Sequence, residues 1–392
     1  MIYLFVLILL LLLSFRYDIN GKIKGRDEWY LVVLVFFVLI AGLRYRLGND
    51  TPRYIYYFYH QYPTLDKLSI EEYAFESPLY VLLNSFVRSF DGRFYVVQLI
   101  QSLFVNVLIF SYFRKHTKYI FTCVFFYAVT SSYFSYNMEA MRASMGIVIF
   151  LYANDYIFNK KWIKGYCLYS LAVFFHPQMI VAMFFPLLYF LRINKFGVIF
   201  IIAAYFFGFY IQSVLGNYLM IFDEDSELGN RALGYVESEK YGTYQGNLNS
   251  KIVHIFPTII YGLACLMYLK IKKIEVVNKL QPFVILSIAF LEMQMNMHIM
   301  YRFVQFFSVY FHILYAETLV NIAKDTKRLN KCLAYVRTFV IFSPFLFAVL
   351  YNRYLASYRN FPYSSVIDRK IDKTREYQYS IKNRPPAHNN EY

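Results

Sequence analysis

The sequence predicts an all-α, polytopic integral membrane protein of roughly ten to twelve transmembrane helices. Three observations carry that expectation. Of 392 residues, 58% are apolar and 21% aromatic, while 17% are charged and the mean hydropathy is +0.37; an ordinary soluble domain carries about 25% charge. The apolar residues fall in blocks comparable in length to the hydrocarbon core of a bilayer. The basic residues behind the net charge of +15 sit mostly in short links between those blocks, where the positive-inside bias of membrane insertion gathers them.

In chain order the blocks cover approximately 2–15, 29–43, 94–113, 119–135, 138–158, 196–215, 252–270, 281–298, 302–320 and 332–351. The first two are short and extend into their flanks. Block 2–15 has no basic residue before it and no small-residue cleavage signal after it, so it reads as a retained first helix, with a signal peptide as the alternative. Block 78–90 is too short for a comfortable span, and counting it as one would put the basic link 114–118 outside; it is assigned as re-entrant or interfacial. Block 163–191 is too long. Pro177 follows His176 at its middle and basic residues flank both ends, which fits two half-helices folded back on one another or one long kinked span.

The basic links 16–26, 114–118, 160–164, 270–279 and 324–331 are expected on the cytoplasmic side. The longest connections, 44–77 and 216–251, then face outward and carry Asp50, Glu71, Glu72, Glu76, Asp223, Glu224, Asp225 and Glu227. Residues 1–351 form one membrane domain. The tail, 352–392, is basic, has no apolar periodicity and is expected to be mobile. By span count it falls on the outer face, against the charge bias.

Several function classes drop out. No basic stripe interleaved with aromatics occurs in a soluble segment, so no nucleic-acid partner is expected. The 41 Tyr and 41 Phe are assigned to packing and interfacial belts. Cys123, Cys167, Cys265 and Cys332 have no CxxC or metal-ligand spacing, and DEDSE at 223–227 lacks the spacing and glycine of an EF-hand. No metal or cofactor is expected. P-loop, Rossmann, GxSxG and HExxH patterns are missing, which disfavours chemistry driven by cytoplasmic nucleotide.

Charges beside hydrocarbon are costly, so polar groups at the outer helix ends are the sharpest functional clues. GLRYRLGNDTPRYIYYF, from Gly42, gathers Arg44, Arg46 and Arg53 around Asp50. Guanidinium groups can hold phosphate bidentately, Gly48 and Asn49 permit a tight turn, and a carboxylate among them can accept a proton; headgroup anchoring competes equally. YNMEAMRASMGIVIF, from Tyr136, sets Glu139 and Arg142 one helical turn apart, a spacing that also suits a plain intrahelical ion pair. FFHPQMI puts His176 at the apex of its block, as a packing residue or a proton acceptor. MNMHIMYRFVQFF places His298 and Arg302 at a short outer link, with anchoring again an equal alternative for Arg302.

As an ordered set, GLRYRLGND followed by a Tyr, AMRASM opening a membrane helix, FFHPQMIVAMFF after KKW, and the later MYRFVQFF resemble the EpsG-type and Wzy-type family of bacterial polysaccharide polymerases, over about residues 1–350. The resemblance implies a GT-C-like helical core in the bacterial cytoplasmic membrane. It also implies a glycosyltransferase that moves a growing glycan from undecaprenyl diphosphate onto the non-reducing end of a lipid-linked repeat at the outer face, without a nucleotide sugar. Its partners would be the undecaprenyl-diphosphate-linked oligosaccharide, the lipid bilayer and a chain-length regulator. On that basis Arg46, Arg142 and Arg302 surround the diphosphate with Arg44 in support, Asp50 or His176 is the general base, and Gly48 and Tyr54 shape the loop. A flippase, a lipid-to-lipid ligase and a membrane O-acyltransferase are the rival functions.

Overall fold

The computed structural model describes residues 2–48, 50–69, 77–130, 132–218, 248–296, 298–325 and 363–369. The outer connection 216–251, the apolar block 332–351, Asn49 and most of the basic tail lie largely or wholly outside the described residues. Among those described, the chain is helical, with one isolated β-bridge. It divides into two units, Met1–Pro186 with Val349–Tyr392, and Leu187–Ala348.

In the first unit, α1 (Ile2–Leu13) runs into a π-helical turn, Ser14–Ile19. There the buried Asp18 carboxylate accepts from the backbone N–H and hydroxyl of Thr122, at 2.7 and 2.8 Å, tying the turn to α6 (Ile120–Val129). α2 (Arg26–Gly42) packs along α5 (Phe94–His116). Tyr30 donates to the Phe110 carbonyl and Ser102 to that of Val38. The basic ends of these helices meet: Arg114 pairs with Asp27 at 3.1 Å, Arg26 donates to the Lys118 carbonyl, and Lys115 and His116 both reach Asp155. The links 16–26 and 114–118, both expected on the cytoplasmic side, thus meet one another beside the end of α8.

α3 (Thr51–His60) and α4 (Pro78–Ser89) stay at the opposite end. The 12 residues of α4 rise about 18 Å, too short to cross. Its first turn meets α3 through Tyr80 and Tyr54, and in its last turn Ser89 accepts from the Leu65 N–H of the link after α3. α5 begins here, with Phe94 against Phe58, and its 23 residues descend to Arg114. Block 78–90 thus forms a helix too short to span a bilayer.

α8 (Met141–Phe158) and α9 (Trp162–Phe175) form a close antiparallel hairpin. A Cβ on Gly146 would stand 3.1 Å from the Ala172 carbonyl, and one on Gly165 2.7 Å from Ile157 Cγ1. At Pro177 the missing N–H ends α9, and a 3₁₀ segment, Pro177–Leu188, returns alongside it. Tyr166 donates to the Met183 carbonyl and Phe185 meets Phe150 edge-on. Of the two readings of 163–191, folded-back halves with His176 at the apex is the one observed.

The second unit is built from α10 (Lys195–Tyr218), α11 (Leu248–Ile271), α12 (Val276–Gln294) and α13 (Tyr301–Asp325). Gly208 lets α10 approach the Met293 backbone of α12, and Phe283 stacks on Tyr310 of α13 with centroids 3.9 Å apart. At its basic end Lys272 pairs with Asp325 and Lys270 donates to the Ile193 carbonyl.

Four described helices are long and apolar enough to cross a membrane: Ile2–Ile19, Phe94–His116, Val276–Gln294 and Tyr301–Asp325. The apolar blocks outnumber them for physical reasons. Block 163–191 breaks at its apex, block 119–135 ends as α6 at Val129, and α8 carries Arg142, Asn154 and Asp155 among buried apolar residues. The fold class, all-helical and polytopic, is the one expected.

Candidate functional site

The end of the first unit away from Arg114 and Asp155 is organised by the loop between α2 and α3. Arg44 is fully buried, and its guanidinium donates to the carbonyls of Ala41 and Leu47 and contacts Met141 Sδ at 3.2 Å. The Ala41 carbonyl is left over at the end of α2, so the side chain satisfies a helix C-terminus that faces protein rather than water, and its bond to the Leu47 carbonyl closes the loop that follows. Burial lowers the Arg44 pKa to about 10, with neighbouring Tyr133 and Tyr80 acting against the fall. The side chain remains cationic at neutral pH and supports the loop from within.

Arg46, at φ 52°, is turned the other way, partly exposed with its guanidinium 5.1 Å from the Tyr45 ring centroid. Gly48 follows at φ 100°, a region L side chains rarely adopt. It lies against the Met138 carbonyl, which also accepts from the Thr51 hydroxyl at 3.2 Å. Asp50 is exposed at the N-cap of α3, and Pro52 sits in the first turn, where a missing N–H is harmless.

Met138 belongs to a π-helical turn, Ser135–Glu139, and Ala140 at φ −97°, ψ 52° separates that turn from α8. Glu139 and Arg142 consequently do not share one continuous helix, and the intrahelical i,i+3 geometry is not formed. The break puts Arg142 in the first turn of α8, where its charge adds to that of the unsatisfied helix N–H groups.

Tyr54 holds it there. Arg142 donates to the Tyr54 hydroxyl while its guanidinium lies 5.8 Å from the Tyr54 ring centroid. Tyr62 and Tyr80 are the other phenols whose charge acts on Arg142, and the rings of Tyr54 and Tyr80 are 5.8 Å apart. Burial raises the Tyr54 pKa, while Arg142 works against that rise, so the phenol stays neutral.

A buried polar stripe on α5 sets the loop and the π-turn in place. Gln98 donates to the Arg44 carbonyl, Gln101 to the Tyr136 carbonyl and Ser144 hydroxyl, and Asn106 to the Asn137 side chain, all within 3.1 Å. Sequence reasoning passed over Tyr62, Tyr80 and this stripe. The stripe had a signal: polar residues at 98, 101, 102 and 106 share one helix face inside an apolar block.

Arg44, Arg46, Gly48, Asp50, Tyr54 and Arg142 are therefore brought to one end of the first unit. His176 closes α9 at the Arg142 end of the α8–α9 hairpin, its Nε2 3.2 Å from Gln178 Oε1. Arg302, in the first turn of α13, belongs to the second unit, and the His298 side chain is outside the described residues.

Fold and site together define a polytopic helical membrane protein with arginines, a carboxylate and tyrosines concentrated at one end of its first unit. The EpsG family model matches residues 28–365, and the chain belongs to the EpsG family. Membership points to a polysaccharide-polymerase type of role. No curated protein and no solved structure matches the chain.

Proposed function

We propose that the protein is a polysaccharide polymerase of the bacterial cytoplasmic membrane, joining a growing glycan on undecaprenyl diphosphate to the non-reducing end of a lipid-linked repeat unit at the outer face. The acceptor hydroxyl oxygen bonds to the anomeric carbon of the donor as that carbon's bond to the diphosphate oxygen breaks. The hydroxyl proton passes to Asp50 or His176, and the electron pair leaves on the lipid diphosphate.

Developing negative charge on the diphosphate needs fixed positive charge at the membrane edge, and arginine supplies it without reorganisation. The observation that carries this reading is Arg142, placed in the first turn of α8 by the break at Ala140 and held by Tyr54 beside the arginine loop. Arg46 is the second guanidinium at that end. Metal independence belongs to the same proposal.

The test is the length distribution of surface polysaccharide in a deletion strain complemented with wild type, Arg142→Ala, Asp50→Asn or His176→Ala, each confirmed in the membrane. Collapse to a single repeat on deletion, unrestored by Arg142→Ala, is expected; only one of the Asp50 and His176 variants should match that loss. An unchanged distribution on deletion would remove the polymerase reading.

A further inference from the structure

The described tail residues are bound to the arginine loop. The Tyr45 N–H donates to the Ser364 carbonyl and the Val366 N–H to the Leu43 carbonyl, both at 2.8 Å, which makes Arg44 and Ser365 an antiparallel pair. Because those bonds lie on either side of it, the Arg44–Ser365 pair is the non-hydrogen-bonded kind, with the closest approach of Cα atoms.

The segment also holds its own shape. The Asp368 carboxylate accepts from the Ser365 N–H at 2.7 Å and from the hydroxyls of Ser364 and Ser365, closing a turn that ends with the Arg369 N–H on the Ser365 carbonyl. On the other flank Tyr363 meets Tyr3 of α1 edge-on, centroids 5.9 Å apart. Two backbone bonds, one ring contact and a carboxylate-capped turn thus join α1, the α2–α3 loop and the tail. The family match ends at 365, so it includes the paired serine.

We propose that residues 363–368 are a strap that positions the arginine loop, making the tail a positioning element for Arg46 and Asp50. Arg44 lies under the strap, and Arg46 and Gly48 adopt positive φ immediately beyond it. A loop with two such residues has many alternative conformations, and pinning Leu43 and Tyr45 from outside removes them. Any effect of the strap on catalysis rests on the polymerase reading; its effect on the loop does not.

The experiment is hydrogen–deuterium exchange on the full chain in lipid nanodiscs, together with KM for a lipid-diphosphate-linked repeat. Val366→Pro removes the donor to Leu43, and Val366→Ala keeps it. Asp368→Ala opens the turn, and Asp368→Asn retains an accepting oxygen. Exchange across 44–51 should accelerate about tenfold in Val366→Pro and Asp368→Ala, with raised KM and unaltered protection of α5, while the conservative variants behave as wild type. Equal exchange in all five proteins would overturn the strap. Accelerated exchange with unchanged KM in an active enzyme would overturn the positioning of Arg46 and Asp50 for catalysis. If wild type forms no polymer, the polymerase reading fails and exchange across 44–51 alone decides the strap. Should Val366→Pro not fold, the Asp368 pair decides.

Discussion

A Cβ built on Gly48 would lie 2.1 Å from the carbonyl oxygen of Met138. The arginine loop and the π-turn before α8 are thus in backbone contact, and the residue that sets the conformation of one sets the position of the other. Gly48→Ala combines that clash with an unfavourable φ and should cost about 1–3 kcal/mol. Gly21→Ala is the control, since Gly21 has φ 69° and nothing within 4 Å. Thermal melts of the two purified variants should differ, with Gly48→Ala the lower and the one that shortens the polysaccharide.

Tyr54 both stacks on Arg142 and accepts its hydrogen bond, and the two contributions can be separated. Tyr54→Phe keeps the ring and loses the acceptor, which should lower polymerising rate about tenfold, equivalent to ~1.4 kcal/mol. Arg142→Ala removes the cation and should lower it by about 10²–10³. Arg142→Lys should fall between, as it restores charge without the planar fork. Rates per mole of membrane protein check the order; a Tyr54→Phe loss equal to that of Arg142→Ala would contradict it.

The short α4 makes a topological prediction. Asp66 precedes it and Asp91 follows it, both exposed. In a cysteine-free background, cysteines at 66 and 91 should react with the same membrane-impermeant maleimide from the same side. Labelling from opposite sides would make α4 a crossing helix.

Gly146 is the seam between α8 and the turn that carries His176. Gly146→Leu would drive a side chain into Ala172 and Met179 and should destabilise by about 1–3 kcal/mol. Gly146→Ala meets chiefly the flexible Met179 side chain and should be tolerated better. Melting temperatures in detergent test the ranking.

Much of the architecture was legible in the sequence because the bilayer supplies a ruler and a sign. The length of 78–90 foretold a short helix, Pro177 marked the apex of 163–191, and the basic links 16–26 and 114–118 meet, as Arg26, Asp27, Arg114 and Lys118 show. The break at Ala140 was not legible, since neither Pro nor Gly marks it and the interruption follows from packing of the π-turn against the loop. Nor could Tyr62 and Tyr80 be picked from 41 tyrosines, because their relation to Arg142 is purely tertiary. The Ser365 pairing lay in a segment without apolar pattern, where composition suggested mobility instead of a bridge.

The polar stripe on α5 bears on how the chain is made. Gln101 and Asn106 reach the membrane before their partners Tyr136, Asn137 and Ser144 have been synthesised, and an amide with no partner in hydrocarbon is unfavourable. α5 is apolar enough to enter lipid when it first emerges, yet the partners of its amides follow up to some forty residues later. The α5 stripe is therefore satisfied only when the segment carrying Arg142 arrives, so the site is assembled in the same act that completes the helix packing.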